Sequence, residues 1–149
     1  ASLVDQSGSG NSAGVTQIAN TNVVSGADNN SRIFQNGSGN QATVGQTSNG
    51  NTDNTSLINQ RASSIDGSAN VQQSGDGTVV NNSNIDQSGG SNNAAGVTQS
   101  GLGSTHNLST VIQTGSMNTA TIGQSGASLS NTSTLHQTGA GNGATVTQN

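Results

Sequence analysis

The side chains of this chain that could do acid-base or metal chemistry are few and thinly spread. There are two basic residues, six acidic ones and two histidines in 149 residues, with no cysteine. The charged ones are Asp5, Asp28, Arg32, Asp53, Arg61, Asp66, Asp76 and Asp86, and the histidines are His106 and His136. Hydrolysis of a glycosidic bond needs two carboxyl groups about 5–9.5 Å apart. A metal centre needs three or four ligands at short range, and a nucleophilic serine needs a base and an orienting acid. None of these spacings is readable here. What the chain carries in quantity is the carboxamide of asparagine and glutamine, which donates and accepts hydrogen bonds at once. Its chemistry is recognition of its own kind.

The carboxamides are placed regularly. Twelve glutamines fall into six pairs: Gln6 and Gln17, Gln35 and Gln46, Gln60 and Gln73, Gln87 and Gln99, Gln113 and Gln124, Gln137 and Gln148. A repeat on this scale signals a solenoid or an array. Two residues before each first glutamine stand Val4, Ile33, Ile58, Ile85, Val111 and Leu135. Four before stand serines, from Ser2 to Ser133, and six before stand Asn29, Asn54, Asn81, Asn107 and Asn131. Two before each second glutamine stand Val15, Val44, Val71, Val97, Ile122 and Val146, and four before stands alanine in all six units. Six before stand Asn11, Asn40, Asn93, Asn118 and Asn142, with Gly67 in the third unit.

A period of two is the mark of a β-strand, whose successive side chains point to opposite faces. The repeated residues are therefore one face and the scattered residues between them the other. Glycine-containing turns such as Ser7-Gly8-Ser9-Gly10 separate the two strands of a unit, and a polar return of variable length closes it. The expected fold is all-β: a β-solenoid of six stacked strand-turn-strand coils with cross-β architecture. The approximate coils are 1–25, 26–50, 51–78, 79–103, 104–128 and 129–149, in one domain. Stacked Asn and Gln amides would bond along the axis and fix the register, because a one-residue slip buries the scattered face.

Composition narrows the function. Only 26% of residues are apolar, against roughly 45–50% in globular domains. Yet Pro, Lys and Glu, which mark disordered chains, are absent. Uncharged Gln/Asn-rich sequence of this type forms β-aggregates. Two arginines give nucleic acid no electrostatic footing, and no apolar run reaches the roughly 20 residues of a membrane-spanning helix. No cofactor is expected. The absence of cysteine fits a chain exported unfolded, and no signal peptide precedes Ala1, which fits a mature or a cytosolic form. Asp5 and Asp86 share a column but lie three coils apart, about 14 Å. Asp28 and Asp53 each stand seven residues before a first glutamine, so they fall on adjacent rungs, where solvated carboxylates are the plainer reading than a weak cation site. Asp28, Asp53, Asp66, Asp76 and Asp86 are expected to slow premature assembly by like-charge repulsion, and the uncharged C-terminal coils to polymerise fastest. No capping element flanks the first or last coil, so the expected partner is a second copy, joined end to end.

The segments QSGSGNSAGVTQ (6–17), QNGSGNQATVGQ (35–46), QTGSMNTATIGQ (113–124) and QTGAGNGATVTQ (137–148) resemble the curlin repeat of curli subunits, the functional amyloid of bacterial biofilms. The resemblance covers nearly the whole chain. It departs from the family in carrying Asn, then Ser, at the first two inward positions of the first strand, and in having longer coils. It implies a divergent major subunit that is secreted through an outer-membrane channel and nucleated by a minor subunit. The product would be an extracellular cell-surface fibre for matrix and adhesion. The alternative is a soluble β-solenoid binding module of ice-binding or adhesin type. Ice binding asks for a regular outer Thr array, and only Thr145 and Thr147 form a Thr-x-Thr pair at the sites flanking the second-strand aliphatic.

Overall fold

The computed structural model describes residues 1–19, 28–50, 52–127 and 129–149, and among these the chain is all-β with no helix. Ten strands follow one another: β1 (Ser2–Ser9), β2 (Ser12–Ala19), β3 (Asp28–Ser38), β4 (Gln41–Asn49), β5 (Thr52–Gln60), β6 (Ser68–Ser88), β7 (Ala94–Ser116), β8 (Thr119–Gln124), β9 (Ser130–Ala140) and β10 (Gly143–Gln148). Every pairing is parallel and joins one coil to the next. The first sheet runs β1-β3-β5-β6-β7-β9 and the second β2-β4-β6-β7-β8-β10, giving six rungs. The expected register holds: Gln6 lies opposite Gln35 and Gln35 opposite Gln60. The boundary expected near residue 25, and most of the long return from Gln17 to Asn29, lie outside the described residues.

The core is the thin layer between the sheets. Ile33, Ile58, Ile85, Val111, Val44, Val71, Val97 and Ile122 are buried there beside Ala42, Ala69, Ala95 and Ala120. Alanine and serine next to each aliphatic let the sheets approach. The first turn closes on glycine in the left-handed region in every coil but the third, where Asp66 takes that conformation. At Gly115 (φ 107°) a β-carbon would fall 2.0 Å from the carbonyl oxygen of Gly139 on the next rung, so rungs stack at this corner only without a side chain.

The return corner differs from the polar turn that the sequence suggests. In the third-to-fourth and fourth-to-fifth coils the strand does not stop: β6 and β7 are single strands of 21 and 23 residues that carry the chain from one sheet into the other. Inward alternation continues through the bend, burying Thr52, Val79 and Thr105 two residues before Asn54, Asn81 and Asn107. Gly75 and Gly101 make room for them, since a β-carbon on Gly101 would lie 2.9 Å from the Thr105 β-carbon. Gly101→Ala should therefore destabilise by about 1–3 kcal/mol through overpacking. Gly96→Ala, where a β-carbon meets nothing within 4 Å, should be neutral or stabilising by about 0.5–1 kcal/mol, the usual strand penalty of glycine. Urea midpoints of the two variants check this, and equal shifts would mean the corner does not pack as described.

Candidate functional site

The polar columns are the chemistry of the molecule, and they run its length. In the first glutamine column each Nε2 donates to the Oε1 of the next rung: Gln35 to Gln60, Gln60 to Gln87, Gln87 to Gln113 and Gln113 to Gln137, all at 2.9 Å. The second column repeats this from Gln17 through Gln46, Gln73, Gln99 and Gln124 to Gln148 at 2.7–2.8 Å. The remaining donor of each amide crosses to the facing sheet. Gln60 Nε2 reaches the Gln41 carbonyl at 3.1 Å and Gln73 Nε2 the Thr55 carbonyl at 2.8 Å. These amides thus bind rung to rung and also sheet to sheet, a crossing that the period-two pattern does not reveal. Buried amides need such partners, because one left unpaired costs about 1–3 kcal/mol.

The asparagines of the first sheet form a ladder of the opposite sense. Asn54, Asn81, Asn107 and Asn131 each donate Nδ2 to the Oδ1 of the rung before, at 2.8–2.9 Å. The asparagines opening the second strand do something else. The expectation of a second stacked Asn ladder meets a difference here: Asn11, Asn93 and Asn118 accept at Oδ1 the backbone N–H of the asparagine on the next rung. Asn11, Asn93 and Asn118 donate Nδ2 to turn carbonyls, of Gly37, Gly115 and Gly139 among others. With Nδ2 given to a turn carbonyl of the next rung, these residues clamp the turn to the rung beside it. Only Asn142 donates to the Oδ1 of its column neighbour, Asn118. In the third rung, where Gly67 replaces asparagine, Asn40 Oδ1 takes the Gly67 N–H and the hydroxyl of Ser64. The extra residues of that turn supply what the column lacks.

Serines of the first strand complete the network. Ser31, Ser56, Ser109 and Ser133 each accept from the second-column glutamine of the preceding rung at 3.2–3.5 Å. Ser83 breaks the series: its hydroxyl is buried and makes no hydrogen bond.

The ends of the stack differ from its middle. Ile33, Ile58 and Ile85 are fully buried, but Val4 in the same column of the first rung is 44% exposed. In the other aliphatic column Val15 and Val146, at the two outermost rungs, are only half-buried. Leu135 in the last rung is covered to 6% exposure. Gln148 Nε2 reaches only the Thr132 carbonyl, and Gln137 Nε2 those of Thr119 and Asn142, with no further Oε1 above.

The charged residues lie away from these columns. Asp28 and Asp53 are on adjacent rungs of the first sheet's outer face, followed by Val80 and His106. Asp5 and Asp86 are separated by Phe34 and Asn59. Asp66 sits in a left-handed turn at φ 52°, and Asp76 lies at the return corner between Asn49 and Leu102. Asp86 is not a bare charge. Arg61 donates to both its carboxylate oxygens, from Nε at 2.8 Å and from a terminal guanidinium nitrogen. The hydrogen bonds to Asp86, then its charge, hold the arginine above its ordinary pKa. With Arg61 58% exposed, water and salt screen the pair, so Asp86→Asn should leave the urea midpoint nearly unchanged, and any small shift should vanish in 1 M salt. Among the described residues no three His or Asp side chains gather to hold a metal, and no helix is long and apolar enough to cross a membrane.

Comparison with protein-family models, with curated proteins and with solved structures gives no match.

Proposed function

We propose that this chain is a structural subunit that stacks end to end with copies of itself into an extracellular cross-β fibre of curli type, for biofilm matrix and adhesion. The observation that carries the reading is the direction of the glutamine ladders. Both begin on an acceptor, Gln6 Oε1 and Gln17 Oε1, and both run their donors toward Gln137 and Gln148. The last rung of one copy thus offers donors where the first rung of the next offers acceptors, in the same columns and at the same spacing. Two like ends would set acceptor against acceptor. Stacking also covers Val4 and Val15, and burying an exposed valine contributes about 1 kcal/mol. The partly exposed aliphatic columns of the outer rungs are as regular as those inside, so a joint between copies would have the chemistry of a joint within one.

The resemblance to curlin repeats adds the setting: an outer-membrane secretion channel for export and a minor subunit for nucleation. Fresh protein should sediment as a monomer. Aged protein should pellet, bind an amyloid dye and give a meridional reflection at about 4.7–4.8 Å. A pellet without that reflection, or a chain that stays monomeric, overturns the reading.

A further inference from the structure

The outer faces of the two sheets are chemically unlike. Asp5, Asp28, Arg32, Asp53 and Asp86 lie on the first, and Arg61, Asp66 and Asp76 at corners. The second sheet's outer face, on segments 12–18, 41–47, 68–74, 94–100, 119–125 and 143–149, carries no charged residue. It also carries glycines that the single chain does not need. Gly14, Gly45, Gly96 and Gly123 lie in strands outside the left-handed region, and a β-carbon on any of them meets nothing within 4 Å. Glycine weakens a strand, and a strand glycine often marks a bulge, a bend, or the close approach of a ligand or another backbone. These strands neither bulge nor bend at Gly14, Gly45, Gly96 and Gly123.

These glycines form a pattern. The two outward sites flanking the buried aliphatic are Gly14 and Thr16 in the first rung, Thr43 and Gly45 in the second, Asn70 and Gln72 in the third. Gly96 and Thr98, then Thr121 and Gly123, then Thr145 and Thr147 follow, so glycine and threonine return in the same order after three rungs. Parallel register sets them in two adjacent columns. Each glycine is a hole beside a threonine knob, and over Gly45 the hollow measures about 160 Å³, bounded by Gln72 and Thr98.

We infer that this face pairs with the same face of a second copy, about a two-fold axis parallel to the solenoid axis. That operation keeps each rung opposite its own equivalent and exchanges the two columns. Thr16 then meets Gly14 of the other chain, Thr43 meets Gly45, Thr98 meets Gly96 and Thr121 meets Gly123. In the third rung Asn70 meets Gln72, donor to acceptor. A two-fold axis across the middle of the stack would instead set rung two on rung five, Thr43 on Thr121 and Gly45 on Gly123, knob on knob. An isologous interface must be self-complementary. The first axis makes it so in rungs one to five, with Thr145 meeting Thr147 in the sixth. An axis across the stack through rung three would also seat Gly14 on Thr121 and Thr43 on Gly96, but the edges of the face select the first.

The edges of the face agree. Met117, 60% exposed, projects at the edge where the fifth rung enters the second sheet. At the opposite edge a groove of about 590 Å³ runs past Gly101, Leu102, Gly126 and Ala127, with Leu102 59% exposed. The same axis brings each Met117 to the partner's groove. It also brings Asp66 toward Asp76 of the other chain, a repulsion that salt screens, so pairing strengthens as salt is added. Six rungs at about 4.8 Å by seven residues at about 3.3 Å give each chain roughly 670 Å² of face. The total of about 1,300 Å² is near the lower end of specific interfaces. Single chains therefore pair weakly, and stacked chains add area with every copy. The strength of the pairing rests on the end-to-end reading above; its geometry does not.

The chain has no cysteine, so Gly96→Cys and Thr98→Cys each introduce a lone thiol. The two variants, mixed and treated with a bismaleimide reaching the sheet spacing of about 10 Å, should give mixed dimers. The yield should exceed by about ten-fold that of Asn84→Cys mixed with Thr110→Cys on the other outer face, as expected of thiols held at high effective concentration. Equivalent positions of copies stacked end to end are six rungs, about 29 Å, apart, so every cross-link is lateral. Adding Gly45→Thr and Gly123→Thr to both partners should fill two holes, cut the yield about ten-fold and leave the unfolding midpoint equal or higher. Yields no better than the control pair, or unchanged by the filled holes, overturn the inference. A dye-positive pellet without cross-links removes lateral pairing alone, whereas cross-linked dimers that never pellet remove the end-to-end reading alone.

Discussion

Val4→Lys should leave the single chain folded and stop it elongating. Val4 is 44% exposed in the first rung, with Ile33 as its neighbour on one side. A lysine there can hold its ammonium in water, so the folded chain should lose no more than about 0.5 kcal/mol. Between two copies the same side chain would enter the aliphatic column, below Leu135 of the preceding copy, with no acid in reach. Burying an unpaired ion costs several kcal/mol, and each 1.4 kcal/mol is a factor of about ten. The concentration left in the supernatant at equilibrium should rise at least about 100-fold. Leu3→Lys is the control. Residue 3 points outward, 49% exposed, and its column already holds a cation in Arg32. Its supernatant concentration should stay within about three-fold of the parent, since surface substitutions fall within ±0.5 kcal/mol. If Val4→Lys pellets like the parent, the first rung is not a joint.

The contrast between residues 3 and 4 is legible in the amino-acid sequence, and the reason is physical. A strand repeats every two residues, so once the glutamines are aligned the side of every neighbour is determined. The columns from Val4 to Leu135 and from Gln6 to Gln137 follow from spacing alone, as does the adjacency of Asp28 and Asp53. Three features are less legible. The corner residues Thr52, Val79 and Thr105 keep the period but not the residue type, so their inward direction is hidden in an apparently irregular return. The Arg61–Asp86 pair is masked by the insertion in the third coil, although Arg61 follows one first-column glutamine and Asp86 precedes the next. The direction of the ladders has no trace in sequence at all. An amide reads the same whichever end donates, and only the crossing bonds to backbone carbonyls select one sense.

Those crossing bonds make the polar columns, more than the aliphatic ones, the part of the core least able to lose a residue. Gln87→Leu replaces a fully buried amide with an apolar side chain of similar volume. Gln60 then loses the acceptor for one amide hydrogen, and Gln113 Oε1 loses its donor. The carbonyls of Ser68 and Asn93 lose the same Nε2. At about 1–3 kcal/mol for each of these two buried amides left unsatisfied, and with the carbonyls keeping their strand bonds, the loss should total about 2–6 kcal/mol. That is a large share of the 5–15 kcal/mol typical of a whole domain. Ile85→Val, two residues away and equally buried, removes one methylene and should cost about 0.5–1.5 kcal/mol. Gln6→Leu removes the same amide from the first rung, where it has a neighbour on one side only and orphans one acceptor, Gln35 Oε1, so it should cost about half as much, about 1–3 kcal/mol. Urea unfolding of freshly diluted chain ranks the three by midpoint, provided the slope is unchanged. A midpoint for Gln87→Leu no lower than that for Ile85→Val would mean that the valine and isoleucine columns hold the stack and the amides merely accompany them. The expected order, with the central amide below both others, would mean that this core is held by hydrogen bonds whose value depends on having a rung on either side.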